Sequence, residues 1–488
     1  MLKMAGVIGT HPGKAGGLSV LRRRAKTSSG STSCCWSRPP IGGIGLCADF
    51  ILFFPRNICR TGKEDVCYGK YVYEQEILMA VFRPFHAVMP TPEKVAAVAA
   101  VPYDVVNTEE AAALAGDNPY SFLRVSRPEI EMEPGTDLHS DPVYAKAASN
   151  YRRLCEIAPL KPDAEANLYV YSLTMNGRVQ TGIAGTASAA EYDSGIIKKH
   201  EKTRKDKEDD RARHVMTLRS QTGPVFLTYR DEDSINAIVR EIMAEEPFFS
   251  FTAADGISHR LWKAGPARSA ELSRLFAERV PCFYIADGHH RAASASRAAA
   301  TCRAADPAST GDEEYNYFLA VAFPASALKI LPYNRAVHDL NGLTSAGFLS
   351  KLGERFEVTE TVNPSPERSG EFHMLLDGKW YRLVPKFDLT GLSVTDALDV
   401  SILQNNVLDP ILGIKDPRTD KRIDFIGGIR GTGELEKLCR TGKAAVCFSM
   451  YATTLDQLMS IADAGAIMPP KSTWFEPKLR DGLVSHDF

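Results

Sequence analysis

Apolar and polar positions alternate along this chain with two different periods. Two apolar runs, Leu168 to Thr174 and Val179 to Gly185, flank Asn176-Gly177, and two more, Phe372 to Leu376 and Trp380 to Val384, flank Asp377-Gly378. Both dipeptides favour type I′ turns, so each pair is predicted to be a β-hairpin. A helical period marks Pro92 to Ala100, Val143 to Ile157, Ser234 to Glu245, Ser269 to Glu278 and Thr454 to Ala464. Strands and helices interleave without an internal repeat. The expected class is therefore α+β or mixed α/β, neither a solenoid nor a TIM barrel.

The most informative stretch is Phe283 to Arg297, FYIADGHHRAASASR. Cys282 to Ala286 is a short apolar run that reads as a buried strand. Ala292 to Ala305 is dominated by alanine, the best helix former. Asp287-Gly288-His289-His290-Arg291 is then a strand-to-helix turn. The first N–H groups of a helix lack internal partners and its dipole is positive there, so such a turn is an anion site. Two histidines and an arginine beside it point to phosphate.

Composition narrows the picture. Of 488 residues, 44% are hydrophobic, enough to fill real cores in two or three domains. Lys plus Arg number 58 against 60 Asp plus Glu, a net charge of -2 that gives no reason to expect nucleic acid or an anionic membrane as partner. The ten cysteines include no C-x-x-C pair, which argues against a zinc ribbon and fits reduced, intracellular thiols. No apolar run approaches the ~18 residues of a membrane span. A cytoplasmic protein is expected. Residues 1–78 differ in kind, with Arg22-Arg23-Arg24, a Ser/Thr-rich patch and no acid before Asp49. Three readings stay open there: a transit peptide, which would make the protein mitochondrial, a disordered extension, or sequence upstream of a true start at Met79. The expected organisation is this extension, a phosphate-binding catalytic region over 79–340, and a smaller C-terminal α/β region over 341–488 closing on the site.

No G-x-x-x-x-G-K-[ST] loop is present, and no G-x-G-x-x-G follows a strand with an acid about 20 residues on. Ile423 to Gly433, IDFIGGIRGTG, is strand-like and enters a glycine loop, which reads as a tight turn. The turn IADGHHR resembles the phosphate-binding box of the ParB/sulfiredoxin superfamily, which includes free serine kinases with a similar D-G-H-H-R. A longer likeness runs from Phe82 to Leu483. FRPFHAV, VPYDVVN, NPYSFLRVSRPEI, KKHEKTRKDKEDDR, YIADGHHR, DVSILQN and MPPKSTWFEPKL resemble, in order, domain-of-unknown-function family 1015. That resemblance implies a ParB/sulfiredoxin-like core and a phosphoserine-handling enzyme, either a phosphatase or a nucleotide-dependent serine kinase.

Candidate residues follow block by block. In Lys198 to His214, eight Lys or Arg and five Asp or Glu fall within 17 residues. From Lys205 onward this is a solvated, salt-bridged helix face. Before it, His200 and Lys202 are candidate phosphate ligands and Glu201 a general base. Asp104 stands alone in an apolar run, and since Asn107 or Thr108 caps the helix that follows, it is free for a catalytic role. Asn118 to Val125 reads as a turn feeding a strand, with Ser121 and Arg124 in packing roles. Two prolines keep Met468 to Thr473 extended, and Trp474 and Phe475 dock it so that Lys471, Ser472 and Thr473 reach a phosphate.

At the turn, Gly288, His289 and Arg291 bind phosphate, Arg291 as a two-donor fork, and His290 serves as general acid. Asp287 caps the helix or holds Mg²⁺. Adjacent histidines diverge on either element, so no zinc site is expected. The expected function is phosphoryl transfer on O-phosphoserine or serine, first as a phosphatase of serine biosynthesis acting on a small phosphorylated substrate. The alternatives are an ATP- or ADP-dependent free serine kinase and a non-catalytic ParB-like nucleotide- or DNA-binding module. A homo-oligomer is compatible with all three.

Overall fold

Both hairpins form where the Asn-Gly and Asp-Gly dipeptides place them. Asn176 and Gly177 have φ of 49° and 77°, Asp377 and Gly378 of 50° and 76°, the left-handed pair that a type I′ turn requires. The computed structural model describes residues 79–488; the readings made for residues 1–78 lie outside them. The described chain folds into two main sheets.

The first sheet has nine strands: β1 (Phe82–Arg83), β2 (Tyr169–Met175), β3 (Arg178–Ser188), β4 (Ile197–Lys198), β5 (Val225–Tyr229), β6 (Phe249–Thr252), β7 (Ser258–Lys263), β8 (Phe283–Asp287) and β9 (Tyr317–Pro324). Their order is β4-β8-β5-β9-β3-β2-β7-β6, with β1 also pairing β3. The β4-β8 and β5-β9 pairs are parallel and the others antiparallel, so the sheet is mixed. The second sheet contains β10 (Tyr333–Val337), β11 (Phe356–Thr361), β12 (Phe372–Leu376), β13 (Lys379–Pro385), β14 (Ile423–Gly427) and β15 (Val446–Ser449). Its order is β11-β13-β12-β15-β10-β14, antiparallel throughout. The fold is mixed α+β. One apolar cluster runs from Phe226 and Phe323 in the first sheet through Phe475 to Phe448 in the second.

Five helices matter for the site: α1 (Thr108–Ala115), α2 (Asp141–Ile157), α3 (Lys205–Leu218), α4 (Pro266–Arg279) and α5 (His289–Ala305). Asn107 caps α1 in a reciprocal box, accepting from the Glu110 N–H at 2.8 Å while the Glu110 carboxylate accepts from its own N–H at 3.0 Å. Asp104 is thereby free of capping, as the sequence predicts. Helices also cover the periodic segments at Asp233–Met243 and Leu455–Asp463. No described helix is long and apolar enough to cross a membrane.

Three expectations are corrected. Pro92 to Ala100 forms a turn and one short helix, Val95–Val98, because the chain must straighten at Ala100 to exchange backbone hydrogen bonds with Asp481. Asn118 to Val125 feeds a helical turn, Leu123–Ser126, instead of a strand; Phe122, Leu123 and Val125 are all buried, and Arg124 holds the turn by donating to the Asn118 carbonyl at 2.9 Å. The charged run from Lys205 is only half solvated. One face packs on α5, where Ser294 Oγ donates to the Glu208 carbonyl at 3.2 Å; another packs on α2, where the buried Asp210 accepts from the Tyr144 hydroxyl at 2.7 Å, and His214 is buried against the Val125 carbonyl.

The last residues pair back onto three segments outside the two main sheets. Trp474–Phe475 pairs with Ile330–Leu331, Asp481 bonds Ala100 in both directions, and His486 pairs with Gln221. Lys478 and Asp481 are thus brought to the start of α5. Behind that point Phe283 is fully buried among Phe82, Phe276 and Tyr229, with ring centroids 5.5, 5.6 and 6.2 Å away. Phe283→Ala is expected to lower stability by about 3–5 kcal/mol, the usual cost of emptying such a site. Urea unfolding monitored by circular dichroism measures it.

Candidate active site at the start of helix α5

Strand β8 ends at Asp287 and α5 begins two residues later, so a single residue must reverse the chain. Gly288 does this at φ 90°, and a Cβ there would lie 2.9 Å from Arg291 Nε, so only glycine fits. No side chain caps α5. Its first backbone N–H groups, at His289, His290 and Arg291, therefore have no side-chain partner among the described residues. Asp287 does not take the capping role. Its carboxylate turns to cations instead, accepting from Lys478 Nζ at 3.2 Å and from Arg291 Nη2 at 3.3 Å.

The structure brings Glu201, Asp104, Asp287, His289, His290 and Arg291 together. Glu201 Oε2 faces His289 Nδ1 at 3.6 Å, and Asp104 Oδ2 faces Arg291 Nη2 at 3.9 Å. Both carboxylates are substantially exposed and border the open end of α5. His290 is half-buried, with Nδ1 unpartnered.

Several side chains take roles other than those expected. Arg291 lies beneath the turn, 8% exposed, with Nη1 donating to the Pro224 carbonyl, so its fork is occupied by the protein. His289 is buried and its Nε2 accepts from the His200 backbone N–H at 3.4 Å, which leaves Nδ1 as the protonated nitrogen facing Glu201. His200 is 1% exposed, its ring edge-on to His289 at 4.5 Å, and is core. Lys202 is exposed and pairs with no carboxylate among the described residues. The Met468 to Thr473 loop does dock, through the Met468 N–H on the His200 carbonyl at 2.8 Å. Yet Ser472 Oγ donates within the loop to the Pro469 carbonyl at 2.6 Å, and Lys471 Nζ lies over the Tyr333 ring at 5.5 Å. Thr473 makes no hydrogen bond to the turn. The cation that faces α5 is Lys478, which the sequence reading passed over; its only signal was a lysine just beyond Trp474 and Phe475 in the docked segment.

Electrostatics follows from burial. Burial works to raise the Asp287 carboxyl, but Lys478 and Arg291 outweigh it and hold the group well below the usual range. Burial lowers His200 and His289 to about 3 and lowers His290 as well. His200 and His289 are therefore neutral at pH 7, and the lowering at His290 works against the general-acid role expected from the sequence. Asp481 is buried under Arg291 with Oδ1 unpartnered, and burial pushes it up to about 7. Among the described residues no group of three or more His, Cys, Asp or Glu is arranged to hold a metal ion. Asp287 is engaged by two cations, so the donor set does not fit Mg²⁺.

A carboxyl raised on folding from 3.8 to about 7 makes the fold less stable as pH rises through that interval, because the unfolded chain ionises first. Replacing it with a neutral amide removes this loss. The melting temperature of Asp481→Asn relative to wild type is expected to rise steadily between pH 4 and pH 7, by calorimetry.

No curated protein matches the chain. Among solved structures, a free serine kinase in complex with AMP is 14% identical, covering 57% of this chain and 83% of its own, with a TM-score of 0.29. A conserved hypothetical protein from Pyrococcus furiosus is 14% identical over 62% of this chain and 94% of its own, TM-score 0.29. SbnI from Staphylococcus aureus, with a C-terminal truncation, is 10% identical over 62% and 86%, TM-score 0.34. A family model matches residues 82–401, well over half of the sequence, and includes the β8–α5 turn. The chain belongs to that family, described as Protein of unknown function (DUF1015).

Proposed function

We propose that this protein is a phosphoryl-transfer enzyme acting on serine, working in the hydrolytic direction on O-phosphoserine. The observation that carries the reading is the uncapped start of α5, with the Lys478 ammonium on one side and the Glu201 carboxylate on the other. The phosphate oxygens accept from the N–H groups of His289, His290 and Arg291 and from Lys478, which offset the charge that builds on them. The Arg291 side chain does not touch the phosphate. It holds Asp287, and through Asp287 it positions Lys478.

Water attacks phosphorus in line with the seryl oxygen. Its proton passes to Glu201, the new P–O bond forms as the P–O bond to serine breaks, and the seryl oxygen takes a proton from solvent. His289 Nδ1 stands 3.6 Å from the Glu201 carboxylate and keeps it facing the turn. The neutral state of that imidazole, due to its burial, keeps a cation from pairing with Glu201 and weakening it as a base.

The test is incubation of purified protein with O-phosphoserine, with and without ADP. Free phosphate and serine without nucleotide are expected. ATP formed only when ADP is present would assign the same site to a serine kinase, and salt-dependent DNA binding without either product would assign it to a binding module.

Glu201→Gln is expected to fold normally and lose turnover by a factor of roughly 10² to 10⁴, the contribution of a positioned base. Asp206→Asn is the control, because Asp206 is exposed and among the described residues pairs with Arg204 alone, at 2.6 Å; it is expected to leave both stability and turnover unchanged. Glu208 is unsuitable as a control. It accepts from the Thr203 hydroxyl and from Arg297 at 3.2 Å, and so anchors the loop that carries Glu201.

Lys478→Gln is expected to weaken phosphoserine binding by roughly 10- to 150-fold, in line with the ~1.5–3 kcal/mol of a hydrogen bond to a charged group. Competition by inorganic phosphate in steady-state kinetics reads this loss.

A further inference from the structure

A second pocket, of about 300 Å³, opens beside the second sheet, at the small end of the range for ligand sites. Two sequence segments not used at the α5 turn meet there. Val400 and Gln404 come from the DVSILQN run, and Pro469 and Pro470 from the loop that follows Met468. At its base is Arg335 on β10, 3% exposed. This guanidinium donates to two carbonyls, those of Tyr333 and, at 3.1 Å, Lys471, and pairs with no carboxylate among the described residues. An arginine cation removed from water without a counter-charge is costly, and burial lowers its pKa to about 10.

The surroundings do not supply the missing charge. Lys415 stands exposed on the wall and is a second cation. Asp416, the acid in the lining, is engaged by Arg418 at 2.8 Å. Arg418, held by Asp416, and Gln404 are the other polar members of the wall; the remainder is apolar and largely flat, chiefly Pro417, Pro469, Pro470 and the Phe425 ring, whose centroid is 5.3 Å from the Arg335 guanidinium carbon. The backbone is irregular here too. Residues Gln404–Leu408 form a π turn after the helix Asp399–Leu403, a distortion often found where a helix shapes a site.

We propose that this pocket is a second ligand site, taking a small organic oxyanion with a flat apolar body: the oxyanion sits on Arg335 and Lys415, and the body lies against Phe425 and the three prolines. A carboxylate and a phosphate monoester share this head-group chemistry. The site is distinct from the α5 turn and does not depend on the reaction assigned there.

The test is titration calorimetry of the full-length protein with benzoate, phenyl phosphate, benzyl alcohol and inorganic phosphate. Benzoate or phenyl phosphate is expected to bind saturably, at least tenfold more tightly than benzyl alcohol, which lacks the charge, or inorganic phosphate, which lacks the ring. The tighter of the two anions identifies the head group. Lys415→Glu, a change at an exposed position, should weaken that binding tenfold or more, and Arg335→Met should abolish it if the variant folds. Lys478→Gln should leave it unchanged. Equal binding by benzyl alcohol, unaltered binding in Lys415→Glu, or loss in Lys478→Gln in place of Lys415→Glu would overturn the proposal.

Discussion

The buried guanidinium of Arg291 ties together segments that are far apart in sequence. It donates to the carbonyl of Pro224 just before β5, pairs with Asp287 at the end of β8, faces Asp104 in the Tyr103–Val105 turn, and lies over Asp481 near the C-terminus. Burial works to lower its pKa, but these carboxyls outweigh burial and raise it, so the charge stays where it is. A charged group in that position is tolerated only because its partners converge on it. The convergence brings Lys478 and two carboxylates to the open end of a helix.

That arrangement separates two jobs which a single arginine often combines. Beneath the turn, Arg291 organises carboxylates and backbone, while Lys478, itself largely buried, reaches Asp287 from the C-terminal segment. A lysine suits a single partner because its ammonium is a compact charge on a flexible stem, whereas the rigid fork of arginine suits several fixed partners. The histidines behave similarly. Burial keeps His200 and His289 neutral, so they shape the loop around Glu201 without adding charge to it.

The loop from Met468 to Thr473 leans on His200 at its first residue and gives the Lys471 carbonyl to Arg335. One proline-stiffened segment thus borders the environment of the α5 turn and the pocket over Arg335.

Local chemistry was legible in the sequence wherever a few neighbouring residues decide the backbone. Asn176-Gly177 and Asp377-Gly378 determined their hairpins, Asn107 with Glu110 determined a helix cap, and an apolar run followed by Gly288 and an alanine-rich stretch determined the strand-to-helix turn. The acids Glu201, Asp104 and Asp287 were legible as candidates because each is a charge placed against its local pattern. What each side chain faces was not legible. Arg291 and His289 look like ligands in the sequence but turn inward, since the buried carboxyls and the His200 backbone compete for them more strongly than water does. Lys478 carries no local mark, and its place depends on the C-terminal segment pairing back onto Ile330–Leu331 and Ala100. Periodicity and turn chemistry act over a few residues, so they are written in the sequence; the partner of a long, charged side chain is chosen by contacts hundreds of residues away, and only the tertiary structure supplies those.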